Sequence, residues 1–198
     1  TIRSIQHIQF QERGIYAALN NCAFVSTENL KEDLAAPFTF LMDASMLGVG
    51  VGFDTKGAGE IIIKGPNSNV NNSVYDIPDT REGWVESTRL LLESYFLGTP
   101  DIKFGYDRIR PAGVPIKGFG GLSSGAEPLK ELHQDIKKSL DKEKGQPISE
   151  TSIVDIQNYI GKCVVAGNVR RTAEIVFGDP YSEEYLDLKN YDINPQRM

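Results

Sequence analysis

The sequence predicts an α/β fold built on largely parallel strands, and three observations predict it. Apolar residues recur at helical spacing in four separate stretches, short apolar runs fall between those stretches, and glycine-rich turns adjoin the runs. Strands that alternate with helices of this length cannot be joined as tight hairpins, so they pair in parallel. In such sheets ligands sit beyond the carboxyl ends of strands, and the loops at 110–121 and 167–171 are both expected at ends of that kind.

Taken in order, residues 1–16 mix polar and apolar positions and read as a helix or lead-in. Residues 17–26 read as a buried strand interrupted by Asn20, Asn21 and Cys22. Two amides and a thiol in such a strand need hydrogen bonds or a cavity. The ordinary fate of a free cysteine is that of a small buried hydrophobe, which is the plain expectation for Cys22. Residues 37–47 make a helix, with Phe38, Leu41, Met42, Ser45 and Met46 as its stripe and Pro37 suited to a first turn. Gly48, Gly50 and Gly52 then alternate with Val49 and Val51. A dinucleotide fingerprint follows a strand and opens a helix. The order here is the reverse, so this is a strand whose glycines admit a ligand or another backbone closely.

Residues 57–76 are polar and turn-rich, with one short strand candidate at 60–64. Asp79 with Glu82 three residues later marks a helix start, and Trp84, Thr88, Leu91, Leu92, Tyr95 and Phe96 form its face, Trp84 reading as core. Residues 102–109 are a strand that feeds the glycine-rich loop. Leu129, Leu132, His133, Ile136 and Leu140 line one face of the next helix, with Lys137, Lys138, Asp141 and Lys142 solvated beyond it. His133 reads as a packed core histidine rather than a base. Ser149 caps a further helix, Ile148 staples onto Ile153, and Ile153, Ile156, Ile160, Cys163 and Val164 make its buried stripe. Residues 172–178 are a strand and 179–189 a short amphipathic helix. With no internal repeat and no linker, residues 1–198 read as a single partial domain.

The 198 residues suffice for one domain or a piece of a larger one. With 21 basic against 27 acidic residues and a net charge of -6, the chain is not expected to bind nucleic acid non-specifically. No apolar run approaches the roughly 18 residues that cross a bilayer, and no charged-then-apolar leader opens the chain. A cytoplasmic protein with no membrane partner is the expectation. Cys22 and Cys163 are too few for a disulfide framework and have no zinc spacing, and His7 and His133 complete no ligand set, so no structural metal is expected.

Two stretches carry chemistry. Residues 108–125 place Gly113, Gly118, Gly120, Gly121 and Gly125 beside Arg110 and Lys117. Bare backbone with positive charge suits a phosphate, because main-chain N–H groups can approach an anion closely. Residues 166–175 hold a second glycine turn, with adjacent Arg170 and Arg171, leading into a strand. Adjacent side chains leave an extended chain in opposite directions, so one such loop can touch two different groups.

Five segments in this order, Asn20-Asn-Cys-Ala-Phe24, Gly48-Val-Gly-Val-Gly-Phe53, Asp79-Thr-Arg-Glu-Gly-Trp84, Ile109-Arg-Pro111 with Lys117-Gly-Phe-Gly-Gly121, and Ala166-Gly-Asn-Val-Arg-Arg171, resemble the catalytic subunit of ribonucleotide reductases. The resemblance is closest to the adenosylcobalamin-dependent (class II) group and its ribonucleoside-triphosphate reductases, and it runs over about residues 19–189. It implies the first half of that family's α/β barrel and a role in converting ribonucleotides, triphosphates more than diphosphates, to 2′-deoxyribonucleotides by thiyl-radical chemistry.

By the same resemblance Cys22 is one member of the reducing dithiol, Asn21 lies beside the substrate, and Gly50 and Val51 supply backbone against the nucleotide. Arg110, Lys117, Gly120 and Gly121 bind the phosphates of a deoxynucleotide effector. Gly167, Asn168, Arg170 and Arg171 belong to a specificity loop between effector and substrate base. The implied cofactor is adenosylcobalamin, bound mainly by sequence outside this chain. The implied partners are an external dithiol reductant such as thioredoxin and the remaining half of the enzyme, as further chain or a companion polypeptide. The family's radical cysteine sits in an Asn-x-Cys-Gly-Glu segment, and these 198 residues contain none. The alternatives are a catalytically empty nucleotide-binding regulatory or assembly module, or a fragment of the class I ribonucleoside-diphosphate reductase large subunit.

Overall fold

The structure, a computed structural model, describes residues 22–67, 73–116, 121–166 and 172–195. In chain order its elements are β1 (Cys22–Val25), α1 (Leu30–Asp33), α2 (Ala36–Met46), β2 (Gly50–Asp54), β3 (Ser73–Asp76), α3 (Arg81–Leu97), β4 (Ile102–Gly105), α4 (Glu127–Lys142), α5 (Glu150–Val165), β5 (Glu174–Phe177) and α6 (Glu183–Asp187). The predicted α/β class with parallel strands holds. β1, β2 and β5 form one parallel sheet in that order, and β3 pairs with β4 in a second, also parallel. β3, α3 and β4 thus make one strand–helix–strand unit.

Local chemistry sets the helix ends. Thr80 opens α3 by accepting from the Gly83 N–H at 3.0 Å, and Gly98 closes it with φ +71°, a left-handed position that suits a residue without Cβ. Ser149 caps α5 as the sequence predicts, accepting from Ser152 N–H at 3.0 Å. Asp79 does not cap α3. The hydroxyl one residue later takes that place, and the Asp79 carboxylate turns to Arg110.

The helices bury their predicted stripes in one core. Phe38, Leu41 and Met42 of α2, Leu91 and Leu92 of α3, Leu129, Leu132, Ile136 and Leu140 of α4, and Ile153, Ile156 and Ile160 of α5 are sealed together. Full burial of each such side chain stabilises by about 1.5–3 kcal/mol. One face of the three-stranded sheet joins this core through Ala23, Val25, Val51, Phe53 and Val176. Its other face does not.

Several strand expectations shorten. Residues 60–64 supply only an isolated bridge between Ile62 and Pro147, and the chain leaves β4 at Gly105 in a turn closed by Ile109 N–H to Tyr106 O at 3.0 Å. β3 was not anticipated, because Ser73–Asp76 is polar and mostly exposed. Among the described residues no helix is long and apolar enough to cross a membrane.

Candidate functional site

The open face of the three-stranded sheet is set by strand alternation. In a strand, successive side chains point to opposite faces, so Cys22 and Phe24 of β1 leave the core while Ala23 and Val25 enter it. Cys22 is exposed and unoxidised, and is not the sealed hydrophobe that cysteine usually is. Its register partner is Gly50, and that of Phe24 is Gly52. Phe24, Ile175 and Phe177 are each about half exposed, at 54%, 57% and 51%, and the Phe24 and Phe177 rings lie 5.9 Å apart. A methyl on Gly52 would come within 3.0 Å of Phe24 Cδ2 and 3.4 Å of Ile175 Cγ2. The bareness of Gly52 therefore admits its neighbours' side chains, where the sequence suggested a ligand or second backbone. Val51 faces the core and is 1% exposed, and its N–H donates to Ala173 O at 2.9 Å. Anything Val51 offers on the open side is main chain.

Cys22, Gly50 and Glu174 are the first residues of their strands, so this group lies at the amino end of the sheet. Thr172 pins the entry to β5 there, donating to Val49 O at 2.7 Å and lying 3.3 Å from Ser45 Oγ. The loop at 167–171, expected beyond a carboxyl end, lies outside the described residues; α5 ends before it at Val165 and β5 begins after it at Glu174. The carboxyl end is occupied by a structural clamp. Asp54 accepts from Ser26 Oγ at 2.7 Å, Thr27 N at 2.8 Å and Thr27 Oγ1 at 2.9 Å. Burial would raise the Asp54 pKa, but these donors outweigh it and hold the carboxyl below the usual range.

Glu174 stands on the core side of β5, in register with Val51. One carboxylate oxygen is buried without a hydrogen-bond partner among the described residues, lodged against the bare backbone of Gly161. Burial pushes its pKa up to about 7. Asn158, Gly161, Lys162, Val165, Thr172 and Ala173 surround it in a shallow depression of about 240 Å³. Sequence reading passed over Glu174, since a charged residue in an alternating strand normally faces water. Cys163, by contrast, is in the core as predicted, 3% exposed, and burial pushes its thiol up to about 12.

The second candidate region follows β4. Arg110 Nε donates to Asp79 Oδ2 at 2.5 Å, each side chain 31% exposed. From there the chain runs out and back as an exposed hairpin: Gly113 N–H to Ser123 O at 2.9 Å, Ser123 N–H to Val114 O at 2.8 Å, and Ile116 N–H to Gly121 O at 2.9 Å. Gly113, Gly121 and Gly125 have φ between +74° and +84°, the left-handed conformation expected of glycines in such a loop. Behind the hairpin base, Tyr106 and Ser87 enclose His133, which is 2% exposed, as the sequence reading required. Burial first, and then Lys137, push its pKa down to about 3. Sequence reading had Asp79 only as a helix start. Its pairing with a residue 31 positions away leaves no local signal.

Asn21, Lys117, Gly120, Gly167, Asn168, Arg170 and Arg171 lie outside the described residues. Cys22 opens β1 of the three-stranded sheet, whereas Arg110 lies in the loop after β4 of the other. No group of three or more metal-ligating side chains occurs among the described residues.

The chain was compared with known proteins. The family described as "B12-dependent ribonucleotide reductase, insertion domain" matches residues 57–140. A probable adenosylcobalamin-dependent ribonucleoside-triphosphate reductase of Dictyostelium discoideum is 58% identical over 94% of this chain and 27% of its own length. The adenosylcobalamin-dependent ribonucleoside-triphosphate reductase of Euglena gracilis is 55% identical over 95% and 26%. Among solved structures, a B-12 dependent (class II) ribonucleotide reductase superposes with a TM-score of 0.73 at 26% identity, over 90% of this chain and 31% of that one. The chain spans about a quarter of the length of the curated relatives it matches.

Proposed function

We propose, on the premise that this chain belongs to the adenosylcobalamin-dependent ribonucleotide reductase family, that it is one part of an enzyme reducing ribonucleoside triphosphates to 2′-deoxyribonucleotides. Residues 1–198 then act as a single partial domain, and the one buried core that joins the three-stranded sheet to the matched insertion segment supports that reading. The observation that carries the function is the Cys22 thiol, open on a sheet face beside the side-chain-free Gly50.

Replacing the 2′-hydroxyl by hydrogen consumes two electrons and two protons. A dithiol supplies both, closing to a disulfide as water leaves, and an external dithiol such as thioredoxin reopens it by exchange. Cys22 provides one of the two thiols. Cys163 does not provide the other, since it is buried in α5 and held protonated, so the second thiol belongs to the rest of the enzyme. Bound adenosylcobalamin supplies the radical that starts the reaction. The cofactor surface falls mainly to sequence outside this chain. Asn21 with the main chain of Gly50 and Val51 lines the substrate, and the substrate, reductant and remaining half are the enzyme's partners in the cytoplasm.

Control of base choice belongs to the two loops. Arg110, Lys117, Gly120 and Gly121 hold effector phosphates, a guanidinium gripping oxygens in pairs and a lysine adding a point charge. Gly167, Asn168, Arg170 and Arg171 then read the effector to the substrate base, anchored downstream by Thr172 on Val49. Such coupling requires different contacts in at least two loop states. The test is reconstitution: this chain, the remaining enzyme half, adenosylcobalamin, a dithiol and a ribonucleoside triphosphate, with deoxynucleotide measured by chromatography. Product is expected. No product from two well-folded parts leaves a catalytically empty nucleotide-binding module.

A further inference from the structure

Ser87, Tyr106 and His133 meet at the base of the glycine hairpin, and their hydrogen bonds have only one consistent direction. The Ser87 hydroxyl gives its proton to Trp84 O at 2.7 Å, inside its own helix. Having no second proton, its oxygen can only accept from His133 Nε2, 3.2 Å away. A neutral imidazole carries one proton. Nδ1 is therefore bare and accepts from the Tyr106 hydroxyl at 2.7 Å. Burial raises the Tyr106 phenol to about 12, so the donor keeps its proton.

Tyr106 is also the pivot of the turn that ends at Arg110. Its carbonyl accepts from Ile109 N–H at 3.0 Å, and Gly105 O beside it accepts from Ile77 N–H at 2.9 Å. A methyl on Gly105 would collide with the Asp76 carboxylate, so a larger residue does not fit at the end of β4. Phe104 stacks obliquely on His133, their ring centroids 4.5 Å apart, and Lys130 sits 5.6 Å from the centre of the Tyr106 ring. Directly beyond the turn, Arg110 meets Asp79.

We infer that Tyr106 and His133 are positioning residues for Arg110: the fixed chain from Ser87 through the imidazole to the Tyr106 hydroxyl holds the hairpin base so that the guanidinium sits between Asp79 and Pro115 O of the loop. The inference rests on the reading of Arg110 as an effector-phosphate ligand and adds the residues that aim it. Neither Tyr106 nor His133 touches the effector.

The experiment compares the 198-residue chain with its Tyr106→Phe, Tyr95→Phe and Arg110→Ala variants. Tyr106→Phe removes one hydroxyl and keeps the ring. Tyr95→Phe makes the same change at a hydroxyl that instead bonds Asp141 at 2.8 Å, so it controls for general loss of stability. Amide hydrogen exchange at Ile109, Gly113 and Ser123 is expected to rise about fivefold in Tyr106→Phe, the scale of one lost hydrogen bond, and to stay at the wild-type rate in Tyr95→Phe. Titration with deoxyadenosine triphosphate is expected to show about fivefold weaker binding in Tyr106→Phe and a larger loss in Arg110→Ala. Unchanged exchange in Tyr106→Phe, or equal acceleration in Tyr95→Phe, overturns the positioning role whatever the titration shows. Accelerated exchange in a chain that binds no deoxyadenosine triphosphate upholds it and removes the effector reading instead.

Discussion

The strand pair β3–β4 and the sheet β1–β2–β5 are both parallel and both back onto the same helical core, yet they end differently. At β4 the chain completes its own polar contacts: Asp79 takes Arg110, His133 takes Tyr106, and the hairpin closes on itself. At β1–β2–β5 the open face shows three half-exposed large apolar side chains and a thiol, and behind the sheet a carboxylate oxygen is buried with no partner among the described residues. Among the described residues the first region is finished by contacts within the chain. Among the described residues the second is left unfinished, in a chain spanning about a quarter of its relatives' length.

The sharpest way to break this contrast is at the thiol. In the reconstituted enzyme, Cys22→Ser should reduce multiple turnover to background while nucleotide binding, measured by calorimetry, stays intact. Full turnover would return Cys22 to the status of an ordinary surface residue. Next in size, Leu92→Ala cuts a side chain that is fully sealed in α3 and should cost about 2–5 kcal/mol. If both regions share one core, chemical denaturation should show one transition moved as a whole. Two separated transitions would divide the chain.

Glu174 gives the unfinished region a pH handle opposite in sign to that of His133 in the other. Its pKa is raised by burial from the ordinary 4.5 to about 7. The associated stability is therefore fully present below about 4.5 and lost as pH rises through about 7. The isolated chain should be less stable at pH 8 than at pH 5 by about 1–3 kcal/mol through this group, and Glu174→Gln should flatten that difference. An unaltered pH profile would mean the carboxylate is already satisfied. The smallest expected effect lies in the finished region. Thr80→Ala removes the cap of α3 and should cost about 1 kcal/mol in thermal unfolding, whereas Asp79→Ala should leave the helix end intact.

Much of the fold was readable because it depends on local periodicity. The stripes of α2 to α5, the Ser149 cap and the interior positions of His133 and Cys163 follow from residues a turn or two apart. What escaped is non-local. β3 is polar and exposed and becomes a strand only because β4 lies beside it. Asp79 was legible as a helix start, but its partner is 31 residues away. Glu174 looks like a solvent position until α5 is packed over it, with Gly161 against the carboxylate. Nor did the sequence signal that the carboxyl end of the three-stranded sheet is filled by Asp54 and its donors from 28 and 27 residues away.

The order of strands also dictates when each region can exist. β3 and β4 are joined through a single helix and can pair as soon as α3 is made, whereas Thr172 reaches Val49 across 123 positions of chain. Closing so long a loop before any contact rewards it is slow. The hairpin base therefore assembles early, and the surface that carries Cys22 is completed only when β5 emerges and docks as the third strand, making that surface the last part of the chain to mature.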